Sequence, residues 1–469
     1  MKGLSIKNLV SACNGLYHGD ESYLDREISS ITTDSRQVEK DGLFAAIKGE
    51  RSDGHKFIGQ CFEKGALVCI SELELEGETR PYIQVESTIT ALRMIAKFYR
   101  EQMTDLKVVA ISGSAGKTST KETIASVLEK KYKVLKTEGN FNNDLGVPLT
   151  VFRLKEDDQV AVIELGISHF GDMEKIASIV SPDICVITNI GQCHLENLKT
   201  RDGILEEKTD MFRFMKDGGY VVLNGDDDKL STVGEVKGRK PYFFGIDSHE
   251  GAYATDIKNL GLKGMKVEFH QLNPADGLAN FAVSIPIPGR HMVYNALAAA
   301  TVASILGLSS DQIIAGISDV VTLKGRNNLI EANGLCILDD CYNANPGSMR
   351  ASIDVLDASD GRKVAILGDM FELGKEEREL HYEVGRYLAY KKIDELVAIG
   401  NLAKSLADGA SDECKKCDNK HLKVTHYDSK ADFFDNLNVH IQRGDNVLVK
   451  SSHGMNFAEI VEKLSHIDY

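Results

Sequence analysis

A short glycine-rich segment, SGSAGKTSTKE, contains the residue types that bind nucleotide phosphates. Gly113 and Gly116 would let backbone N–H groups approach phosphate oxygens, and a helix starting after them would present its positive end. Lys117 would neutralise the terminal phosphates and Thr118 would ligate magnesium. The longer phosphate-loop pattern needs a glycine where Ile111 stands. The segment therefore favours a shorter GxxGKT loop, with a glycine-rich turn that binds nothing as the alternative.

Two more polar residues follow apolar runs that are typical of strands. Glu164 closes the run VAVIE, where an unpaired carboxylate would be costly to bury. His194 follows the next run, within NIGQCHLENL. Ligands of open α/β sheets bind beyond the carboxyl ends of the strands, and magnesium prefers oxygen ligands near phosphates. Both residues are candidates for a metal site beside the loop, with a surface carboxylate and a structural histidine as the alternatives.

Two other clusters favour structural interpretations. The acidic run from Asp226 to Asp228 lacks the alternation and closing glutamate of a calcium loop, so a solvated turn is predicted. Cys414 and Cys417 have metal or redox spacing, but a single pair in a polar segment is more typical of chance. The nine cysteines are odd in number and lie mostly in apolar segments, which indicates reduced thiols.

Alternating strands and helices must position these residues. The alternation predicts a mostly parallel sheet with helices on both faces. Helices are predicted at 89–100 and 295–306, the second closed by Gly307, and a further helix is predicted with Ser310 as its N-cap. The strands are predicted at 108–111, 160–165, 184–190, 220–223, 335–338, 364–367, 396–399 and 447–449.

Composition bounds the function. The chain has 469 residues, too many for one core, with 42% hydrophobic and 27% charged residues. Its formal net charge of −15 argues against a general affinity for nucleic acid. No apolar run is long enough to span a membrane, and the first residues lack the pattern of a secretory signal. We expect a cytoplasmic monomer with neither nucleic acid nor membrane as a partner.

The expected fold class is α/β with three domains. Residues 1–103 are predicted to form a small α/β N-terminal domain, and residues 104–322 a central P-loop ATPase-like domain with a mostly parallel sheet. Residues 323–469 are predicted to form a C-terminal Rossmann-like α/β domain. The second boundary lies where the apolar pattern lapses around TLKGR.

Motifs along nearly the whole chain resemble the Mur ligase family, ATP-dependent amide-bond-forming enzymes of bacterial cell-wall synthesis. The N-terminal domain contributes TTDSR and KGERSDGHKF. The central domain contributes SGSAGKTSTKE, TEGNFNNDLGVPLT, IELGIS, NIGQCHLENL, LEEKTDMF and PGRHMVYNALAAA, and the C-terminal domain contributes KGRNNLIEANG, DDCYNANPGSM and LGDMFELGKEERELH. The nucleotide-loop motifs are shared across the family and with folylpolyglutamate synthases. The segments DDCYNANP and LGDMFELG resemble the branch that adds D-alanyl-D-alanine.

The resemblance implies ATP, two magnesium ions and a set of catalytic residues. Thr118 and Glu164 would hold one magnesium and His194 would serve the second. Lys208, in LEEKTDMF, matches the lysine that the family carbamylates, which turns a cation into an oxygen ligand or metal-positioning group. The catalytic set implied by the family is Lys117, Glu164, His194, Lys208 and Arg326.

The resemblance also implies three binding regions. Asn295 would contact adenine, Asp340 the ribose side, and Arg326 would reach the ATP as the C-terminal domain closes; the full ATP set is Gly113, Ser114, Ala115, Gly116, Lys117, Thr118, Ser119, Asn295, Arg326 and Asp340. UDP-N-acetylmuramoyl-tripeptide would meet Asp34, Ser35, Arg36, Lys48, Asp53 and His55, with Asn140, Asn142 and Asn143 near the phosphates or the reacting carboxylate. D-alanyl-D-alanine would meet a pocket shaped by Asn343, Asn345 and Pro346.

The implied reaction is attack of the peptide carboxylate on the γ-phosphate of ATP, followed by displacement of the acyl phosphate by the amine of D-alanyl-D-alanine. One departure from the family concerns the usual Lys-Gly-Ser-Arg, which here reads Lys450, Ser451, Ser452 and His453. A sister Mur ligase, a folylpolyglutamate synthase-type ligase and a non-catalytic nucleotide-binding protein are the alternatives.

Overall fold

Three β-sheets organise the chain, and each is built by consecutive strands. This computed structural model describes residues 1–49, 52–272 and 280–467. We call the parts around the three sheets the N-terminal, central and C-terminal units. The predicted domain boundaries at 103/104 and 322/323 fall between the sheets and stay predictions.

The N-terminal unit holds a five-stranded sheet of order β1-β5-β4-β3-β2, in which only the β1/β5 pair is antiparallel. Helix α3 has buried residues at helical spacing and is capped by Ser87, whose hydroxyl accepts the Thr90 N–H. The elements are α1 (Ile6–Cys13), β1 (Leu16–His18), β2 (Ile31–Thr32), β3 (Leu43–Ala45), α2 (Ile58–Glu63), β4 (Val68–Ser71), β5 (Tyr82–Gln84) and α3 (Thr88–Glu101).

The central unit holds a nine-stranded sheet of order β14-β13-β12-β11-β10-β9-β6-β8-β7. The strands from β7 to β12 in this order pair in parallel, and β12, β13 and β14 pair antiparallel. The elements are β6 (Lys107–Ser112), α4 (Lys117–Leu128), β7 (Val134–Lys136), α5 (Gly146–Val151), β8 (Val160–Glu164), α6 (Asp172–Val180), β9 (Ile184–Ile187), α7 (Leu195–Leu198), α8 (Arg201–Thr209), β10 (Tyr220–Asn224), β11 (Tyr242–Gly245), β12 (Ala252–Asn259), β13 (Met265–His270), β14 (Phe281–Ile285), α9 (Arg290–Ile305) and α10 (Ser310–Ser318).

The C-terminal unit holds a six-stranded sheet of order β15-β16-β20-β17-β18-β19, in which only β15/β16 is antiparallel. The elements are β15 (Asn328–Ala332), β16 (Leu335–Asp339), α11 (Pro346–Asp357), β17 (Lys363–Gly368), α12 (Glu377–Ala389), β18 (Glu395–Ile399), α13 (Ala403–Cys417), β19 (Lys423–Tyr427), α14 (Lys430–Phe434), α15 (Leu437–His440), β20 (Asn446–Lys450) and α16 (Ala458–Ser465). The three-domain α/β class with mostly parallel sheets is confirmed.

The hydrophobic core is continuous from the N-terminal unit into the central unit. One cluster of buried side chains includes Leu4 and Leu9, passes through Ile95 of α3 and reaches Val108 and Ala110 of the central sheet. Burial of these side chains ties the first sheet to one face of the second. No described helix is both long and apolar enough to cross a membrane.

Several predicted element ends differ from the structure. The helix predicted at 295–306 begins at Arg290, and the strand predicted at 160–165 ends at Glu164. The strand predicted at 184–190 ends at Ile187, because Thr188 and Asn189 turn toward the glycine-rich loop and bond with it. The N-cap of α10 is Ser309 rather than Ser310. Ser309 and Gln312 form a reciprocal capping box, which makes Ser309 the better cap.

Candidate active site

The glycine-rich loop joins the end of β6 to the start of α4. Gly113 has φ 147° and Gly116 has φ 78°, a region of backbone conformation that favours glycine. A Cβ atom on Gly113 would lie 1.9 Å from Thr188 Oγ1. Only glycine therefore lets the loop approach the end of β9 this closely.

Residues after β9 brace the loop. Asn189 accepts the N–H of Ser114 at 3.0 Å through its carbonyl and the N–H of Ala115 at 3.0 Å through its side-chain oxygen. Thr188 Oγ1 donates to the Ala115 carbonyl at 2.6 Å, and the Gly191 N–H donates to Ser114 Oγ at 2.8 Å. Two of the loop's own donors are thus occupied. In the described part of the chain, the N–H groups of 116–118 have no hydrogen-bond acceptor, so they are the donors available to a phosphate.

A cleft opens beside the first turn of α4. Thr118 and Ser119 contribute polar groups, and the C-terminal unit contributes Arg326. The other walls are largely apolar and include Ile287 and Met292. A cleft with an apolar wall, a few polar groups and a helix N-terminus suits a nucleotide, with the base on the apolar wall.

The side chain of Lys117, the first residue of α4, folds back over the glycine-rich loop that precedes it. Its Nζ donates to the Gly113 carbonyl at 2.7 Å. The ammonium is therefore held over the loop while the helix N-terminus stays open. A single hydrogen bond holds it there, so it can turn to a phosphate at little cost.

Glu164 ends β8 opposite Ile111 of β6, next to the start of the loop. The side chain is only 2% exposed. Asn142 Nδ2 donates to Glu164 Oε1 at 2.7 Å, whereas Glu164 Oε2 is buried without a hydrogen-bond partner among the described residues. A buried carboxylate oxygen without a donor is costly unless a cation pairs with it. The donor chemistry of this oxygen fits magnesium, which prefers carboxylate ligands combined with phosphate oxygens.

The three asparagines of the TEGNFNNDLGVPLT segment are placed differently. Asn142 supports Glu164, and its carbonyl accepts the Gly166 N–H at 2.8 Å. Asn143 Oδ1 accepts the Gly146 N–H at 2.8 Å, at the start of α5. Asn140 is exposed. Only Asn142 contacts a predicted catalytic residue.

His194 lies just before α7 in a left-handed conformation, φ 50°. Its Nδ1 is 2.6 Å from Oε2 of Glu372 in the C-terminal unit. The two atoms lie within hydrogen-bonding distance but are not aligned as a hydrogen bond, so a rotation of either side chain is needed to form one. The histidine holds the pKa of Glu372 below its usual value. Sequence reasoning missed Glu372 as a partner, although it lies in the quoted motif LGDMFELG.

Lys208, in α8, is only 1% exposed. Burial lowers the pKa of its amine to about 8, and the charge of Lys117 lowers it further in the same direction. Glu207 is close enough to oppose this shift, but its effect is smaller than that of burial and of Lys117. The structure thus brings Lys117 and Lys208 into the same electrostatic environment, and the lowered pKa of Lys208 increases the fraction of neutral amine at a given pH.

Asn295, in α9, lies beside the N-terminus of α4. Its Oδ1 accepts the Thr120 hydroxyl at 3.0 Å, and its Nδ2 is 3.2 Å from Met292 Sδ. A Cβ atom on Gly116 would lie 3.4 Å from Asn295 Oδ1. The asparagine therefore borders the glycine-rich loop and contacts Met292, which lines the cleft.

Arg326 stacks on an aromatic ring of its own unit. Its guanidinium carbon lies 3.8 Å from the centre of the Tyr342 ring, and the His453 ring lies 5.1 Å from the same ring. Stacking of this kind holds a guanidinium by cation–π attraction. His453, which replaces the family's usual arginine, thus shares Tyr342 with Arg326.

Asp340 directly follows β16, and its side chain is 15% exposed. Burial alone would raise the pKa of its carboxyl, but Lys450, the Ser352 hydroxyl and the Asn327 N–H outweigh burial and lower it. Lys450 Nζ also donates to the Asn343 carbonyl at 3.1 Å. Lys450 is therefore committed to Asp340 and to the loop that follows, rather than free to bind an external anion.

The residues predicted for the D-alanyl-D-alanine pocket form the start of α11. Asn345 is the N-cap, and its Oδ1 accepts the Ser348 N–H at 2.8 Å in a capping box. Pro346 is the first helical residue. Asn343 Oδ1 accepts the Ala344 N–H at 2.9 Å. All three shape the loop between β16 and α11.

The predicted UDP-sugar residues lie in two loops of the N-terminal unit, away from the glycine-rich loop in the chain. Asp34 pairs with Arg36, and the Ser35 carbonyl accepts Lys64 Nζ at 2.8 Å. Lys48 and Asp53 form an isolated β-bridge. His55 is buried, with Nδ1 2.7 Å from Asp53 and Nε2 accepting the Glu72 N–H at 3.0 Å. Both ring nitrogens of His55 are therefore engaged by the protein.

The turn predicted at Asp226 to Asp228 is present, but the carboxylates of Asp226 and Asp227 are half-buried and bonded to the protein rather than fully solvated. Asp226 accepts the N–H groups of positions 246–248 and the Tyr294 hydroxyl. Asp227 Oδ2 accepts the Ile190 N–H at 2.8 Å, which fixes the loop leading to His194. Their position directly after β10 was the signal that could have identified them.

The described residues contain no group of three or more His, Cys, Asp or Glu side chains placed to hold a metal ion. Glu164 and His194 therefore do not share a preformed metal cage. A metal here would need oxygens from a bound phosphate, which is the usual manner of magnesium binding in nucleotide enzymes.

Comparisons with known proteins agree along the chain. Three family models match: "Mur ligase family, catalytic domain" at 27–100, "Mur ligase middle domain" at 111–303 and "Mur ligase, glutamate ligase domain" at 325–453. A curated protein of Bacillus subtilis (strain 168), UDP-N-acetylmuramoyl-tripeptide--D-alanyl-D-alanine ligase, is 33% identical and covers 98% of both chains.

Solved structures show the same similarity. A crystal structure of MurF from Acinetobacter baumannii has a TM-score of 0.88 at 33% identity and covers 99% of both chains. MurF from Thermotoga maritima in complex with ADP has a TM-score of 0.81 at 29% identity and covers 93% of this chain and 97% of that one.

Proposed function

Because the chain belongs to the Mur ligase family, we propose that it joins D-alanyl-D-alanine to UDP-N-acetylmuramoyl-tripeptide with hydrolysis of ATP to ADP and phosphate. The proposal rests on full-length similarity to ligases of that name. The observation in this chain that supports it best is the buried, unpartnered Oε2 of Glu164 beside an open helix N-terminus. The Glu164 carboxylate could bind the metal and the N-terminus of α4 the phosphates of a metal–nucleotide complex.

The proposed reaction has two steps. An oxygen of the peptide carboxylate attacks the γ-phosphorus of ATP, the bond to the β,γ-bridging oxygen breaks, and an acyl phosphate and ADP form. The amine of D-alanyl-D-alanine then attacks the acyl carbon, loses a proton, and the tetrahedral intermediate expels phosphate. Lys117 and the N–H groups at 116–118 bind phosphate oxygens, and Arg326 adds positive charge from the C-terminal unit.

Thr118 and Glu164 are proposed to hold one magnesium, and His194 to serve a second. Magnesium bound there would neutralise charge that develops on the phosphate oxygens. Asn142 orients Glu164 through its 2.7 Å hydrogen bond, and Asp227 fixes the approach to His194. These two polar supports hold the side chains in position before any ligand arrives.

Lys208 is proposed to act as a carbamate rather than as a cation. Carbamylation needs a neutral amine, and burial lowers the pKa of Lys208 to about 8. The product carries a negative charge, which would offset the positive charge of Lys117 and of any magnesium nearby. Lys208 would then orient a metal, as the family resemblance implies.

The remaining site residues have proposed roles in binding. Asn295 and Asp340 would border the nucleotide, and the loop before α11 would receive D-alanyl-D-alanine. The two loops of the N-terminal unit would receive the UDP-sugar, with Arg36 as its most exposed cation. We place the reaction in the cytoplasm and expect a monomer; all nine cysteines lie in the described residues as free thiols, which suits a reducing compartment.

Phosphate release tests the proposed function. Purified protein with ATP and magnesium should release phosphate only when both UDP-N-acetylmuramoyl-tripeptide and D-alanyl-D-alanine are added, because each step consumes one of them. L-alanyl-L-alanine is the matched control and should stimulate far less. Equal release with no dipeptide, or with glutamate in place of the dipeptide, would contradict the proposal and favour a different amide ligase.

Replacing Glu164 by glutamine should lower kcat by about 10²-fold, because the amide cannot supply an anionic ligand. The requirement for magnesium should rise in parallel, and the rate should be measured against magnesium concentration. Glu129→Gln, an exposed carboxylate at the end of α4, is the control and should behave as wild type. An unchanged magnesium dependence in Glu164→Gln would remove Glu164 from the metal site.

A further inference from the structure

The contact between His194 and Glu372 joins two units of the molecule. Glu372 belongs to the loop after β17, and His194 belongs to the loop after β9. Their side-chain atoms approach to 2.6 Å. Leu195, next to His194, packs against the hydrophobic cluster of the C-terminal unit that contains Met370 and Leu373. The charged contact therefore lies at a packed junction, not between two isolated surface side chains.

The loop that presents Glu372 is firmly held within its own unit. The Met370 N–H donates to Nε2 of the buried His381 at 2.8 Å, and the Phe371 N–H donates to Ser452 Oγ at 2.9 Å. Asp369 accepts the N–H of Ala403 at 2.7 Å through its side chain. These bonds fix the backbone on the N-terminal side of Glu372. The direction of the carboxylate is thus set by the C-terminal unit before it meets His194.

Both residues of the contact have backbone conformations that cost energy. Glu372 has φ 63° and His194 has φ 50°, in the left-handed region that is uncommon for glutamate and that histidine adopts more often. Strain of this kind persists where the surrounding structure determines it and is concentrated at functional sites. The Glu372 side chain is 57% exposed, and an ion pair this exposed adds little to stability. Stability alone does not account for the arrangement.

Histidine ligands of metals usually donate their second ring nitrogen to a carboxylate, which fixes the tautomer and orientation of the ring. Glu372 stands where such a carboxylate would be needed, and it comes from the other unit. We propose that Glu372 is a positioning residue that orients His194, so that the phosphate-side metal site of the central unit is complete only when the C-terminal unit is docked. The inference rests on the proposed function, since it assigns His194 to the metal site.

If Glu372 orients His194, replacing Glu372 should weaken metal-dependent ADP binding and leave metal-free ADP binding unchanged. In Glu372→Gln, the affinity for ADP in the presence of EDTA should equal that of wild type, because the glycine-rich loop is untouched. The gain in ADP affinity on adding Mn²⁺ or Mg²⁺ should fall by about tenfold, the usual effect of removing a carboxylate behind a histidine ligand. Isothermal titration calorimetry measures both affinities, and electron paramagnetic resonance counts bound Mn²⁺.

A second variant distinguishes a loss of His194 positioning from a loss of folding stability. Glu372→Gly removes the carboxylate and relieves the positive φ, so its melting temperature should equal or exceed that of wild type while the metal-dependent gain is still lost. Glu376→Gln, an exposed carboxylate four residues further along, is the matched control and should keep the full gain.

The outcomes distinguish this inference from the proposed function. If wild type shows no metal-dependent gain in ADP affinity, or if Glu164→Gln keeps it, the proposed metal site fails. If wild type shows the gain, Glu164→Gln loses it and both Glu372 variants keep it, only the role of Glu372 is overturned. Loss of the gain in both Glu372 variants, with Glu376→Gln unchanged, supports the role.

Discussion

Lys117→Ala should lower kcat by about 10³-fold, because it removes the one loop side chain that can neutralise the terminal phosphates. Positioning and charge neutralisation supply most of the catalysis in phosphoryl transfer, so no other group replaces this ammonium. The fold should survive. In the structure Lys117 makes one hydrogen bond, to the Gly113 carbonyl, whereas Thr188 and Asn189 brace the loop independently. Turnover and the melting temperature should be measured on the same preparation.

Lys155→Ala is the matched control for this result. Lys155 is an exposed lysine of the central unit, and its loss removes the same formal charge without touching the loop. Its kcat should stay within about twofold of wild type, since exposed charges are largely screened. If Lys117→Ala retained turnover, the glycine-rich loop would have no part in the chemistry. If it lost turnover and also unfolded, the loop's stability would depend on Lys117, contrary to the independent bracing seen here.

The local parts of the site could be predicted from the sequence because their signals are local. Glycines at positions of positive φ, a lysine at the first helical position and a glutamate closing a strand are all visible within a few residues. The strand-to-loop order then places them at one edge of a parallel sheet. For Glu164 the sequence left a surface carboxylate open as the alternative, and the structure shows instead a buried side chain with an unpartnered oxygen.

The long-range parts could not be predicted from such signals. The requirement for glycine at Gly113 comes from Thr188, which is 75 positions away, and the Ile190 N–H is fixed by Asp227. His194 meets Glu372 across two units. Each contact depends on which strands become neighbours, and strand order is a property of the whole sheet rather than of any segment. The capping error at α10 is smaller: two serines are adjacent, and only the reciprocal bond with Gln312 selects Ser309.

Contacts between distant parts of the chain also decide the roles of the charged residues in the C-terminal unit. Lys450, Asp340 and Arg326 are all charged residues that a motif assigns to the ligand, yet each has a protein partner here. Arg326 rests on Tyr342, and Lys450 is paired with Asp340. Of these three residues, only Arg326 lines the cleft beside α4. The C-terminal unit therefore offers Arg326 to the cleft and keeps Lys450 to hold the loop before α11.

Lys208→Ala should also lower kcat by about 10³-fold, and small carboxylates should restore part of the lost activity. The side chain is 1% exposed, so its removal leaves a gap that acetate or propionate can enter. A restored carboxylate would supply the negative charge that we propose for the carbamate. Activity should be measured against the concentration of sodium acetate, with wild type in the same salt to correct for ionic strength.

Adding methylammonium chloride to Lys208→Ala tests whether the group that acts at position 208 carries a positive or a negative charge. If Lys208 acts as a cation, methylammonium should rescue Lys208→Ala and acetate should not; a carbamate predicts the reverse. Wild type offers an independent measurement, because carbamylation needs the neutral amine and burial lowers its pKa to about 8. At pH 6.5 only about 3% of the amine is neutral, so ¹³C-bicarbonate labelling at Lys208 should increase as pH rises through 8. A decrease in labelling over this range, or rescue by methylammonium, would contradict the carbamate and leave Lys208 as a buried cation beside Lys117. Repulsion between the two ammonium groups makes that arrangement the less stable one.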